Sequence, residues 1–301
     1  MARYAVSVVS PPGYVHSAAF HEVAETLHAA LGALGHDAVL TGDTAPRGRR
    51  PIVLGANLLP HVRQPLARDA VLYNLEQVDP ASPWLTGPVR ALLAAHEVWD
   101  YSPRNAARYA MFGLPPPRVV PIGYVPGLRR IAPAPEEVDV LFYGSMNPRR
   151  ARVIDALRAR GLAVEVAFGL YGAARDARIA RARVVLNVHF YEAKVFEIVR
   201  VSYLLANRRC VVSERGADPE EERTLEAGVA FAEYGGLADA CEALVRDPAA
   251  RARVAEAGFR LMSARDEVAI LRAALAGDAP PQAGAPERGD RAPQAPGTPG
   301  C

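Results

Sequence analysis

The sequence predicts two α/β units, each a parallel sheet covered by helices, facing one another across a cleft. Apolar, β-branched runs alternate with helix-period segments along most of the chain. A proline- and acid-rich stretch at 131–137, Ile-Ala-Pro-Ala-Pro-Glu-Glu, interrupts that alternation as an exposed linker does. The chain has 301 residues, about twice the usual domain length.

In the first unit, expected at 1–130, strands are predicted at 4–9, 38–40, 51–54, 70–75, 97–101 and 119–122. A helix is predicted over about 17–34, where Phe20, Val23, Leu27, Leu31 and Leu34 recur at three- or four-residue steps and Gly35 stops it. The second unit, expected at 138–276, opens on the near-continuous apolar strand 138–143 and a helix over 149–160. Further strands follow at 163–168, 183–188, 210–213 and 229–232, with a mostly apolar helix at 196–205. Asp247-Pro248 opens a helix to about Met262 with an acidic cap and a first-turn proline, and a last helix covers 266–275. From 277 to 301 the chain is rich in proline, glycine and alanine without an apolar period, which predicts a disordered tail.

Composition narrows the function. The 35 basic and 33 acidic residues leave a formal charge of +2, too small a surplus for a nucleic-acid-binding surface. Cys210, Cys241 and Cys301 have no metal-ligand spacing and cannot all pair in disulfides, which fits a reducing compartment. No stretch reaches the roughly 18 to 20 uninterrupted apolar residues of a transmembrane segment, so a cytoplasmic protein is expected. Arginine and alanine dominate as in a GC-rich bacterial genome, and the one lysine, Lys194, hints at a position that needs a compact ammonium.

In doubly wound sheets, ligands gather at the carboxyl ends of the strands. The segment 139–150, Asp-Val-Leu-Phe-Tyr-Gly-Ser-Met-Asn-Pro-Arg-Arg, delivers Gly144 and Ser145 to such an end, with Arg149 and Arg150 at the start of the next helix. Free backbone N–H groups, a hydroxyl and two guanidinium groups suit a phosphate, although a tight turn with a solvated arginine pair has the same sequence. At 187–200, Asn-Val-His-Phe-Tyr-Glu-Ala-Lys-Val-Phe-Glu-Ile-Val-Arg, a second strand end places Lys194 and Glu197 at a helix entrance. An ammonium can meet a diphosphate there, and Glu197 with Arg200 is also spaced for an ordinary intrahelical ion pair. A third strand end carries Ser213, followed by the acidic run 218–222. No Asp-x-Asp triplet follows a strand, and no bound metal is expected.

These segments, in the order Asp-Val-Leu-Phe-Tyr-Gly-Ser, Val-Leu-Asn-Val-His, Lys-Val-Phe-Glu-Ile, Cys-Val-Val-Ser-Glu and Glu-Ala-Leu-Val-Arg-Asp-Pro-Ala-Ala-Arg, resemble the carboxyl-terminal domain of GT-B-fold glycosyltransferases, over about 139–262. The similarity is greatest to the CgeB-like branch of the group 1 families. It implies two Rossmann-like domains, the second binding a nucleotide-sugar donor and the first an acceptor. It also implies that Glu197 contacts the nucleotide ribose and that Lys194, Gly144, Ser145 and Arg149 or Arg150 face the diphosphate. The donor is then a substrate, and no separate cofactor is expected. Related retaining enzymes carry another glutamate eight positions before the helix glutamate; here that position is His189, with Glu192 displaced by three residues. Retention of configuration therefore has no sequence support.

An inverting transfer needs a general base. In the first unit, His16 follows the first strand within Ser-Pro-Pro-Gly-Tyr-Val-His, and an imidazole is tuned for proton transfer near neutral pH. Glu76, in Tyr-Asn-Leu-Glu-Gln at 73–77, is a rival base, with Asn74 and Asp100 as acceptor contacts or simple turn caps. The segment after the first strand lacks G-x-G-x-x-G, and the chain contains no P-loop pattern, which disfavours a dehydrogenase or P-loop enzyme. The expected activity is metal-independent sugar transfer from a nucleotide sugar to an unidentified acceptor. A nucleotide-sugar-binding protein without turnover and a nucleotide-sugar epimerase are alternatives on the same shell.

Overall fold

Short apolar strands, buried at the centre of each sheet and half-buried at its edges, associate in parallel into two sheets. The computed structural model describes residues 1–191 and 193–278. The first lobe contains β1 (Arg3–Val8), α1 (His21–Ala33), β2 (Asp37–Thr41), β3 (Arg50–Leu54), β4 (Val71–Asn74), α2 (Gly87–Ala95), β5 (Glu97–Asp100), α3 (Pro103–Arg108) and β6 (Arg118–Val119). Its strand order is β2-β1-β3-β4-β5-β6, parallel throughout.

The second lobe runs through β7 (Val138–Tyr143), α4 (Pro148–Ala159), β8 (Val164–Ala167), α5 (Gly172–Ala180), β9 (Ala182–Asn187), α6 (Ile198–Ala206), β10 (Val211–Glu214), α7 (Pro219–Leu225), β11 (Ala230–Ala232), α8 (Leu237–Arg246) and α9 (Pro248–Ser263). Its parallel order is β11-β10-β9-β7-β8. Alternation along its central strands supplies both faces. Val140, Phe142, Val184 and Leu186 pack beneath α4 and α8 with Leu157, Leu237 and Cys241. Leu141 and Val185 point the other way, into a core that includes Val201, Leu205 and the first lobe's interior. One apolar core thus joins the lobes.

The sequence predicts one helix over about 17–34; the chain instead makes a 3-10 segment, Val15–Phe20, before α1 begins. β6 is shorter than predicted because Pro121 has no amide to extend the ladder. The expectation that 138–276 forms one unit also changes. The last helix, α10 (Glu267–Ala276), lies back against α1 of the first lobe. Its entry is pinned by Gly123 N–H donating to Glu267 Oε2 at 2.7 Å and by Tyr124 N–H donating to Arg265 O at 2.7 Å. Gly123 is needed there, since a Cβ would stand 2.7 Å from the Arg265 carbonyl. The tail expected to be disordered lies outside the described residues apart from Gly277 and Asp278, as does Glu192. Among the described residues, no helix is long and apolar enough to cross a membrane.

Candidate functional site

The carboxyl ends of the two sheets meet around a cavity of about 320 Å³. The first lobe contributes His16 after β1 and Glu76 and Gln77 after β4; the second contributes Gly144, Ser145 and Arg150 after β7, Phe168 and Tyr171 after β8, and Glu197 and Arg200 at α6. The size falls within the range of small-molecule sites.

One wall is electropositive. Gly144 has φ +138°, a conformation only glycine adopts comfortably, and a Cβ there would stand 3.0 Å from an Arg200 guanidinium nitrogen. Asn147 caps α4 by accepting from Arg150 N–H at 2.8 Å, fixing the turn. The buried Arg150 guanidinium donates to the Val188 carbonyl (Nε, 2.9 Å) and the Ser145 carbonyl (Nη1, 2.7 Å). Burial, with Arg200 nearby, lowers its pKa to about 10. Arg200 lies over Tyr143 at 5.3 Å and donates to Asn187 Oδ1 at 3.4 Å, at the outer limit for a hydrogen bond. Its charge is thus left facing the cavity, and it makes no ion pair with Glu197 within 4.0 Å.

Glu197 ends the loop before α6. Asn187, the last residue of β9, donates to its Oε2 at 2.7 Å, and His189 Nδ1 lies 3.3 Å from the same oxygen, off line for a hydrogen bond. Burial alone would raise the Glu197 pKa, but His189, Arg200 and Arg150 override it and hold the carboxylate at about 2. His189 is itself raised: burial opposes its protonation, and Glu197, Glu214 and Glu222 outweigh it. The histidine therefore lies buried behind Glu197 and does not itself line the cavity.

Three further residues expected at the donor are placed elsewhere. Arg149 and Lys194 both bind Glu214, which is buried at the end of β10: Arg149 Nη1 donates at 2.5 Å and Lys194 Nζ lies 3.2 Å away. Burial pushes the Glu214 carboxyl up, and Arg149, His189 and Lys194 together pull it below its ordinary value. Lys194, at φ 46°, lines a separate polar hollow with Arg215 and Glu222. The reason is the loop: Lys194 C=O accepts from Ala217 N–H at 2.9 Å, turning its side chain toward β10. Ser213 is fully buried, accepting from Asn187 Nδ2 at 3.1 Å.

In the first lobe, Asn74 and Asp100 lie under the cavity wall. Asp100 accepts from Asn74 (2.7 Å), Tyr109 (3.1 Å), Asn105 (3.2 Å) and the Ser102 N–H (2.9 Å), the turn-capping arrangement. Burial lifts it to about 7 against those bonds. Glu76, by contrast, lines the cavity, and burial raises its carboxyl to about 7. His16 Nδ1 lies 2.7 Å from the Tyr171 hydroxyl, a hydrogen bond between the lobes. Arg175 completes the far wall, bound to Glu22 of α1 at 2.7 Å. Among the described residues, no group of three or more His, Cys, Asp or Glu is arranged to hold a metal ion.

Two parallel sheets, each flanked by helices and opening to a common cleft, define the GT-B fold. Among solved structures, AviGT4, a glycosyltransferase involved in avilamycin A biosynthesis, superposes with a TM-score of 0.56 and 18% identity over 92% of this chain and 96% of that one. Anabaena Alr3699/HepE in complex with UDP and glucose gives 0.57 and 14%, covering 91% and 98%. Sucrose-phosphate synthase from Thermosynechococcus elongatus gives 0.57 and 13%, also covering 91% and 98%. No family model matches the chain. Of curated sequences, the uncharacterized protein L138 of Acanthamoeba polyphaga mimivirus is 40% identical over 82 residues, which is 27% of this chain and 9% of that protein. L140 of the same virus is 29% identical over 153 residues, 48% of each chain. The chain thus spans half or less of these relatives.

Proposed function

We propose that this chain is a glycosyltransferase that takes its sugar from a nucleoside-diphosphate donor held by the second lobe and passes it to a hydroxyl acceptor seated against the first. The observation that carries this reading is the joint placement of Arg200, Gly144 and Glu197 on one cavity wall. Among the described residues Arg200 pairs with no carboxylate, and its guanidinium stands beside the Gly144 turn, where cation and backbone suit a phosphate. Glu197, ionised and held by Asn187, offers an acceptor pair for the two ribose hydroxyls. Solved neighbours on this fold were captured with UDP, which supports the donor class. The order of motifs supports the CgeB-like branch within it.

In the transfer, the acceptor oxygen bonds to the anomeric carbon as the bond from that carbon to the diphosphate oxygen breaks. The departing negative charge falls beside Arg200, with Arg150 bracing the turn at Ser145. The acceptor proton passes to Glu76 or His16, both of which reach the same cavity from the first lobe.

Calorimetric titration with UDP, GDP, ADP and dTDP, followed by hydrolysis and transfer assays with the matching nucleotide sugars, tests this. A nucleoside diphosphate should bind, and Glu197→Ala should weaken it on the order of tenfold to a hundredfold. No binding by any of the four, or binding indifferent to Glu197 with the fold intact, overturns the reading. Isomerised donor without transfer would identify an epimerase instead.

A further inference from the structure

Glu197 and Arg200 stand three residues apart where α6 begins, the spacing at which opposite charges on a helix usually meet. Arg200 is near enough to help keep Glu197 ionised, yet among the described residues no ion pair joins them within 4.0 Å. Two other groups hold the carboxylate. The Asn187 amide touches both charges: Nδ2 donates to Glu197 Oε2 at 2.7 Å, and Oδ1 accepts from Arg200 at 3.4 Å. His189 approaches the same Oε2, with Nδ1 3.3 Å away.

The His189 ring is fully buried, and neither of its nitrogens has a hydrogen-bond partner among the described residues. Negative charge surrounds it from three elements: Glu197 at the start of α6, Glu214 at the end of β10 and Glu222 on α7. Glu214 accepts from the His189 backbone N–H at 3.1 Å, and Glu222 accepts from the Gly216 N–H at 2.6 Å. The Gly216 turn closes over the ring so tightly that a Cβ there would stand 2.7 Å from Nε2. The neighbouring cations are engaged elsewhere: Arg149 and Lys194 with Glu214, Arg215 with Glu222 and Glu226. Arg150 serves backbone carbonyls, 3.9 Å from Glu197 Oε1. A neutral imidazole must leave one lone pair among these carboxylates, whereas a protonated ring presents an N–H on both sides. Charge attraction also works without the alignment that a hydrogen bond demands.

We infer that His189 is a positioning residue: as an imidazolium, and together with Asn187, it draws the Glu197 carboxylate away from Arg200, so that Arg200 meets a diphosphate rather than its own helix neighbour. This deepens the proposed function and rests on it for the identity of the anion, but the charge on His189 and the availability of Arg200 are each measurable without a nucleotide. Deprotonating His189 removes its pull, and Glu197 then turns to Arg200 and neutralises it. Anion affinity is therefore full below the folded-state pKa of His189, which the three carboxylates raise against burial, and falls as pH rises through it.

The test titrates the full chain with UDP and with inorganic pyrophosphate between pH 6 and 9, as wild type, His189→Gln, Arg200→Ala and the double variant. In parallel, ¹⁵N NMR follows the His189 ring nitrogens, assigned by their loss in His189→Gln. At pH 7 both nitrogens of the wild type should carry protons. His189→Gln should there weaken both anions about tenfold, and its affinity should meet that of the wild type once the NMR shows the wild-type ring deprotonated. Added to Arg200→Ala, it should weaken nothing further, because its effect runs through Arg200. A neutral ring at pH 7 overturns the inference, as do losses that simply add in the double variant or a His189→Gln effect unrelated to the ring's protonation. If His189→Gln does not fold, the ratio of wild-type to Arg200→Ala affinity takes its place: it should shrink as the ring loses its proton, and a constant ratio overturns the inference. Binding of neither anion does so too. Pyrophosphate bound in this His189-dependent way, with no nucleoside diphosphate bound, counts against the donor reading alone.

Discussion

Gln77 and Val195 are joined by two hydrogen bonds across the lobes: Gln77 Nε2 donates to the Val195 carbonyl at 3.0 Å, and Val195 N–H donates to Gln77 Oε1 at 3.1 Å. The side chain imitates a β-strand partner for the loop that ends in Glu197. Its own backbone is fixed in turn, since the Gln77 carbonyl accepts from Ser82 Oγ (2.7 Å) and Trp84 Nε1 (3.0 Å). Gln77→Leu fills similar volume but orphans two buried backbone groups, so it should destabilise the chain by about 2 kcal/mol. The loosened loop should also weaken nucleoside-diphosphate binding. Thermal melts and titration calorimetry check both; an unchanged Tm and affinity would show that the clamp contributes nothing.

Arg200 and Arg149 separate binding from folding. Among the described residues Arg200 has one marginal hydrogen bond and no ion pair, so Arg200→Ala should leave Tm nearly unchanged while reducing UDP affinity on the order of tenfold to a hundredfold. Arg149 neutralises the buried Glu214, which retains Lys194 and the His189 N–H as partners. Arg149→Ala should destabilise by about 1.5–3 kcal/mol and leave UDP affinity nearly as it was. The reverse pattern in calorimetry and melting would exchange the two assignments.

The same contrast explains what could be read from the sequence. Strand ends are legible because an apolar run followed by Gly144-Ser145 or Asn187-Val-His can end only where the sheet does. Which side chains then face the ligand is set by local backbone and by partners far along the chain. Lys194 turns away because its own carbonyl is bonded to Ala217, 23 residues on, and Arg149 because Glu214 is in reach. Arg200 is marked in the sequence as a charge on an otherwise apolar helix, yet its spacing from Glu197 offers an ion pair that the loop conformation at Glu197 (ψ 55°) does not form. Arg175 and Tyr171 flank a helix start whose sequence, Gly172-Ala-Ala-Arg-Asp, carries too few apolar residues to show a face. The return of α10 to the first lobe depends on the contact at Gly123, which no local pattern announces.

Glu76 gives a pH signature with a definite sign. Burial raises its folded-state pKa to about 7, above that of the unfolded chain, so ionising it opposes folding once pH exceeds the ordinary carboxylate range. Glu76→Gln should therefore match the wild type in Tm near pH 4 and exceed it at pH 8. If Glu76 takes the acceptor proton, wild-type kcat/KM should fall below about pH 7 with unit slope, and Glu76→Gln should lose roughly 10²–10⁴ in turnover. Asp100 and Glu267 share the upward direction, to about 7 and about 8, so each melt is compared with the wild type at the same pH. A variant less stable than wild type at pH 8 would show that the Glu76 carboxylate has a partner in the folded chain.

His16 competes with Glu76 for the same proton, and its bond to Tyr171 decides how well it can act. When Nδ1–H donates to the phenol oxygen, Nε2 keeps its lone pair and can accept a proton from the cavity; when the phenol donates, Nε2 carries the hydrogen and cannot. Tyr171→Phe removes this choice of partner and one link between the lobes. If His16 is the base, Tyr171→Phe should lower kcat about tenfold with UDP affinity unchanged, and His16→Ala should lower it by 10² or more. If Glu76 is the base, His16→Ala and Tyr171→Phe should shift acceptor KM and leave the pH profile of kcat in place, whereas Glu76→Gln removes its acidic limb. Initial-rate measurements across pH 5–9 on the three variants distinguish the two assignments, because only the residue that takes the proton can erase the limb.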